Sequence, residues 1–171
     1  MAKGGQELVY CSLGGAGEIG MNLNLFGYGK PGEYKWIIVD IGVTFSDDNI
    51  PGIEVILPNP EFIENQKENL LGIVLTHAHE DHVGAIAHLW PMLECPIYAT
   101  PFTAAIVKEK FKEKKINIGS HLKIVKLGGN VKLGVFDIDY VTLTHSILEP
   151  NGLAITTPEG VILHTADWKI D

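Results

Sequence analysis

The sequence predicts an α/β chain of the α+β kind, with two mostly antiparallel or mixed sheets packed together and helices outside. Three observations predict it. Strand-like runs crowd the first third of the chain and return after residue 122, with helical patterns between them. The 171 residues, 46% hydrophobic and 20% charged, suit one globular domain large enough to bury a core. No repeat, low-complexity tract or linker marks an internal boundary, so residues 1–171 read as one unit.

The elements follow in order. Residues 8–12, 21–28 and 34–39 carry β-branched, aromatic or alternating apolar residues, separated by Gly and Pro, and read as strands. Residues 61–69 are weakly helical. An apolar run at 71–75 is a buried strand, and 83–89 is the helix that follows it. Residues 96–99 form a short strand before a helix at 103–115. Strands return at 122–127, 135–143, 153–157 and 161–165.

Between the buried strand and its helix stand Thr76-His77-Ala78-His79-Glu80-Asp81-His82. Histidines two apart on extended chain can point the same way, so His77 and His79 can grip one ion. Asp81 and His82 turn with the chain into the helix and can face a second. Imidazole nitrogen with carboxylate oxygen suits zinc and similar first-row metals. Three of the chain's seven histidines fall within six positions, which argues against a chance surface cluster. Asp40 ends the strand at 34–39, where a carboxylate commonly orients a metal-bound histidine rather than binding the ion itself. His88, His121 and His164 read as ordinary helix, turn and strand histidines.

Gly15-Ala16-Gly17-Glu18-Ile19-Gly20 matches the dinucleotide-binding fingerprint by letter, with Asp40 twenty residues on. That mechanism needs a helix to open at the glycines and face a pyrophosphate. Residues 22–27 instead alternate with period two, as a strand does. The glycines are read as a tight connection passing close to the metal pocket.

The His-x-His-x-Asp-His signature after a buried strand resembles that of the metallo-β-lactamase superfamily. Further stretches narrow the resemblance: Gly14 to Asn22, Val39-Asp40-Ile41-Gly42, Pro51-Gly52-Ile53, Thr144-His145-Ser146-Ile147, and His164-Thr165-Ala166-Asp167-Trp168-Lys169-Ile170-Asp171. In this order they look like the amino-terminal part of the ribonuclease J family, of the β-CASP branch. Ala166, where relatives usually carry Gly, and Leu148, where Pro is common, depart from the pattern.

The resemblance implies an αββα sandwich of which only the amino-terminal part is present, the β-CASP and carboxy-terminal domains being absent. It implies His145 as the third imidazole on the ion held by His77 and His79, and Asp167 as a carboxylate bridging two ions. Asp81, His82 and Asp167 then serve catalysis as well as metal binding. Zn2+ is the expected cofactor, in two sites of which one is complete here, with Mn2+ or Mg2+ as alternatives. The implied reaction is endo- and 5′-exonucleolytic cleavage of RNA, in rRNA processing and mRNA decay, by water activated at the metals. Two other classes stand beside it: a small-molecule metallo-hydrolase of the glyoxalase II or lactamase type, and a metal-binding fragment without catalysis.

Composition limits the partners. The net charge of −8 supplies little grip on a polyanion. The one basic run, at 108–115, is interleaved with glutamates and reads as a solvated helix face. The amino-terminal residues Met1-Ala2-Lys3-Gly4-Gly5-Gln6 lack the apolar stretch of a signal peptide, and no run reaches the ~18 apolar residues of a membrane span. With Cys11 and Cys95 read as reduced core thiols, a cytoplasmic protein with no membrane partner is expected. Because the chain ends four residues past Asp167, it is expected to be inactive alone on RNA. It is also expected to form homo-oligomers through apolar surface such as Leu153, Ile155 and Ile162.

Overall fold

The computed structural model describes residues 5–46 and 51–170; the amino-terminal residues 1–4 of the signal-peptide reading and Asp171 lie outside them. The chain opens with β1 (Glu7–Gly14), β2 (Leu23–Gly29) and β3 (Lys35–Val39), then a small hairpin of β4 (Thr44–Phe45) and β5 (Val55–Ile56). Next come α1 (Glu61–Glu64), a 3-10 turn at Lys67–Asn69, β6 (Leu70–Val74), α2 (Glu80–Val83) and α3 (Ile86–Leu93). After β7 (Ile97–Ala99), α4 (Pro101–Glu113) starts on a proline, which suits a first helical position whose N–H has no partner within the helix. A second 3-10 turn at Gly119–His121 leads to β8 (Leu122–Ile124). Finally β9 (Asn130–Leu133), β10 (Phe136–Thr142), β11 (Asn151–Thr157) and β12 (Gly160–His164) form a meander.

Six strands make a mixed sheet in the order β1-β2-β3-β6-β7-β8, antiparallel up to β3 and parallel beyond it. Strands β9 to β12 make a second, antiparallel sheet. Side-chain alternation sorts the core into two layers. Leu23, Leu25, Trp36, Ile38 and Ile73 face the helices, with Ile86, Leu89, Val107 and Phe111 against them. Phe26, Tyr28, Ile37, Val39 and Val74 face the second sheet, where Phe136, Ile138, Leu153 and Ile155 meet them. Full burial of each such side chain contributes about 1.5–3 kcal/mol relative to exposure.

Three sequence expectations are corrected. Leu153 and Ile155 are not surface residues, since both lie at 0% exposure between the sheets, and Ile162 packs partly against them. The opposite register carries the exposed apolar groups, Val161 and Leu163 at 66% and 62%. The helix expected at 83–89 is two helices from Glu80 to Leu93, broken where the Ala85 N–H bonds the Ile41 carbonyl instead of its own helix. Strands β4, β5 and β9 were not expected at all. The two cysteines are separate free thiols, and burial pushes Cys95 up to about 12, so it stays a neutral core group.

Candidate metal centre

Parallel pairing of β3 with β6 sets Val39 beside Val74, so the chain leaves both strands side by side at their carboxyl ends. Asp40 follows β3 directly, and Thr76 follows β6 after Leu75. The Asp40 N–H donates to the Val74 carbonyl (3.1 Å), while Oδ1 accepts from the Thr76 N–H and Oδ2 from the Thr76 hydroxyl, both at 2.8 Å. Asp40 has φ of 63°, a left-handed conformation that Asp tolerates better than most residues and that these bonds hold in place. Its Oδ2 also meets His82 Nδ1 at 2.7 Å.

This network sets the imidazole tautomers. The Thr76 hydroxyl has one proton, directed at Asp40, so at 2.9 Å from His77 Nδ1 it accepts from that ring nitrogen. Likewise His82 Nδ1–H faces Asp40. Both rings therefore turn Nε2 away from Asp40, His77 toward His79 Nδ1 (3.2 Å) and His82 toward Asp81 (3.4 Å) and Asp167 (3.5 Å).

The second sheet supplies the other side. Thr142 pairs with Asn151, closing the β10–β11 loop that carries His145. Asp167 follows β12, and beyond it the Lys169 N–H bonds the Thr144 carbonyl, drawing the two segments together. His145 Nε2 lies 3.1 Å from His79 Nδ1 and 3.8 Å from Asp167 Oδ2. Thus Asp167 turns one oxygen toward His82 and the other toward His145. Ala166 sits at φ 48°, a conformation that favours glycine, which is the residue the resemblance leads one to expect there.

Two groups of donor atoms result, each gathered within 4.8 Å: His77, His79 and His145, and His77, His82 and Asp167. Nitrogens bound at about 2.0–2.1 Å to one tetrahedral ion stand roughly 3.3 Å apart, close to the spacings about His79, so the donor set fits a first-row metal. Asp81 adjoins the second group through His82. Asp40, at 0% exposure, lies behind His82 and Thr76 rather than among the donors. His88 and His121 stand outside both groups, as does His164, whose ring packs edge-on against Phe26.

Electrostatics distinguish the two groups, and an ion at the second would have to displace the His82 Nε2 proton. Burial, aided by the neighbouring His82, lowers His77 to about 4, leaving a neutral ring with a free lone pair. Burial also opposes charge on His82, but Asp40 and hydrogen bonds to Asp167, Asp40 and Asp81 outweigh it and hold His82 at about 12. The hydrogen bond from His82 likewise lowers Asp167 to about 2 and is the main cause lowering Asp81.

Asn22 was not singled out by the sequence. It ends the glycine loop, and its N–H and Nδ2 both donate to the Asp81 carbonyl at 3.0 Å. The glycines therefore pass beside the metal loop and lead into strand β2, not a helix. On the basic run, Lys110 pairs with Glu80 and Lys112 with Glu109. The fold also gathers Lys123, Lys126 and Lys132 around one open cleft beside Tyr98, a grouping their spacing conceals.

Comparison with known proteins agrees with this architecture. The beta-lactamase superfamily domain matches residues 35–170. The chain is 48% identical to ribonuclease J of Sinorhizobium meliloti over 97% of its own length and 29% of that protein's. With ribonuclease J of Helicobacter pylori the identity is 37%, covering 93% of this chain and 23% of the relative. The chain thus spans less than a third of either relative. Among solved structures, the metallo-beta-lactamase fold protein YhfI from Bacillus subtilis superposes with a TM-score of 0.60 at 18% identity, covering 99% of this chain and 65% of that one. A matching domain over most of the length, on this fold, places the chain in the beta-lactamase superfamily.

Proposed function

We propose that the chain is the amino-terminal part of the metallo-β-lactamase domain of a ribonuclease J-type enzyme, a metal-dependent hydrolase that cleaves RNA phosphodiester bonds in the cytoplasm. The observation that carries this reading is the convergence of His77, His79 and His145 beside a second group, His77, His82 and Asp167, whose carboxylate also faces His145. His77, His79, His145 and Asp167 would hold one ion; His82, Asp81 and the same Asp167 would hold a second. Zinc fits the imidazole-rich first group best, with manganese or magnesium as alternatives at the carboxylate-rich second. Divalent ions supply Lewis acidity and bring water toward ionisation near neutral pH. The chain's own residues do the rest. Asp40 and Thr76 form a buried floor that fixes His82 and His77. Asp167, half-exposed and ionised at neutral pH, would meet arriving water and substrate. Identity to ribonuclease J, rather than any feature of the donor set, favours RNA over a small-molecule substrate.

Metal analysis tests the centre. Purified without chelator, the chain is expected to hold closer to one ion than two, because Asp81, His82 and Asp167 offer the second ion a single imidazole, and a position filled by water binds more weakly than one filled by histidine. His77→Ala or His145→Ala should lower metal content and melting temperature together. His121→Ala removes an edge-on contact with Trp90 at 5.2 Å but should leave metal content unchanged. Equal metal loss in the His121 variant would refute the assignment. For the substrate, a longer protein containing this chain should degrade 5′-labelled RNA in an EDTA-sensitive manner and leave a thioester and a β-lactam intact; the 171-residue chain alone should be far slower.

Self-association belongs to the same reading, with Val161 and Leu163 on the exposed face of the second sheet as its contact. Light scattering is expected to show dimers or larger species, and Val161→Lys with Leu163→Lys to shift them to monomer. A wild-type monomer at all concentrations would count against it.

A further inference from the structure

The loop bearing His145 is anchored at its far end. Asn151 is 1% exposed, and its Nδ2 donates to the carbonyls of Thr76 at 3.2 Å and Glu149 at 2.7 Å. Both partners can only accept, which fixes the way the amide faces. Its Oδ1, by contrast, is the one buried side-chain polar atom among the described residues without a hydrogen-bond partner. A buried amide with half its capacity unused is unfavourable, so stability alone does not account for its place here.

Its two bonds join segments that must meet for metal binding. Thr76 directly precedes His77 and bonds its ring. Glu149 lies in the His145 loop in the left-handed conformation, φ 53°, and its Oε2 accepts from the Phe102 N–H of α4 at 2.8 Å. The loop is thereby tied both to the end of β6 and to the start of α4.

We propose that Asn151 is a positioning residue, docking the His145 loop onto the His77–His79 segment so that three imidazoles stand together before an ion arrives. This rests on the metal-binding reading above. A loop held in its binding conformation loses little freedom when the ion binds, and the affinity is higher for it.

The test compares zinc affinity, by competition with a chromophoric chelator, in wild type, Asn151→Ala and Asn151→Asp; the last keeps the shape but its carboxylate cannot donate. Both variants are expected to bind about tenfold more weakly and to alter the visible spectrum of the cobalt-substituted protein. Asn130→Ala, whose exposed amide bonds only Asp137 and Asp139, should change neither reading. Should the Asn151 variants not fold, Glu149→Gln, which retains an oxygen for the Phe102 N–H, should keep the affinity that Glu149→Ala loses. Wild-type affinity with an unchanged cobalt spectrum in a folded Asn151 variant overturns the proposal. So do equal affinities in the Glu149 pair. A wild-type chain that binds no zinc overturns the metal-binding reading, and this proposal with it.

Discussion

Asp40→Ala is expected to lower stability by about 3–5 kcal/mol in EDTA, because it strips the buried His82 imidazolium of its Nδ1 partner, the only fully buried one of its three carboxylates. Asp40 is at 0% exposure and His82 at 2%, so water cannot replace the lost carboxylate. Thr76 loses acceptors for two donors at the same time. The pH dependence has a definite sign. The lowered Asp40 contributes above its ordinary range near 3.8 and less as pH falls; the raised His82 contributes fully below about 6.5 and less as pH rises toward about 12. The difference between wild type and variant should therefore be widest from about pH 4 to 6.5 and shrink in alkaline solution. Urea unfolding in EDTA across that range measures it. A deficit that grew with pH would show that His82 is neutral in the folded, metal-free chain. Metal affinity should also fall by roughly 10–100-fold, the usual cost of removing a carboxylate behind a ligating histidine.

Gly42→Ala should be no better tolerated. An added Cβ would stand 1.7 Å from the Asp81 carbonyl oxygen and 2.6 Å from the His82 nitrogen, all backbone atoms. No side-chain rotation relieves such a contact. Neighbouring bonds fix the approach on both sides: the Ile41 N–H reaches the His82 carbonyl, the Val43 N–H that of Glu80, and the Gly42 N–H that of Asn22. A loss of roughly 3 kcal/mol or more is expected, with reduced metal content in whatever folds. Thermal melting and metal analysis check both effects. A variant with wild-type melting and metal content would mean that the metal loop can move away from β3 without penalty.

Much of this arrangement is legible in the sequence because local pattern and local chemistry coincide. An apolar strand running into His77, His79, Asp81 and His82 places those groups together by spacing alone. Alternation at 22–27 was enough to dismiss the dinucleotide fingerprint, and β2 begins at Leu23. His145 and Asp167 needed the family resemblance, since nothing in spacing shows that two loops of the second sheet close over the first. The hydrogen bonds of Asp40 with Thr76 and His82, of Asn22 with Asp81 and of Asn151 with Thr76 join residues 36 to 75 positions apart. No window of sequence contains them. Asn130-Val131-Lys132-Leu133 does alternate, with Val131 and Leu133 buried, but a four-residue strand offers too few periods to stand out. The side of β11 and β12 that is covered was misjudged because register is a tertiary property; a shift of one residue exchanges the faces.

The His79–His145 contact has a consequence for how the molecule comes apart. It spans 66 residues and joins the loop after β6 to the loop after β10, so an ion held there would act as a removable staple between the sheets. Clips that close long stretches of chain restrict the unfolded ensemble most. Chelation would then loosen the seam between β6 and β10 ahead of either sheet's own ladder. Backbone amides at the site end of β10 to β12 would exchange with solvent sooner, while those of β2 and β3, packed on both faces, stayed protected.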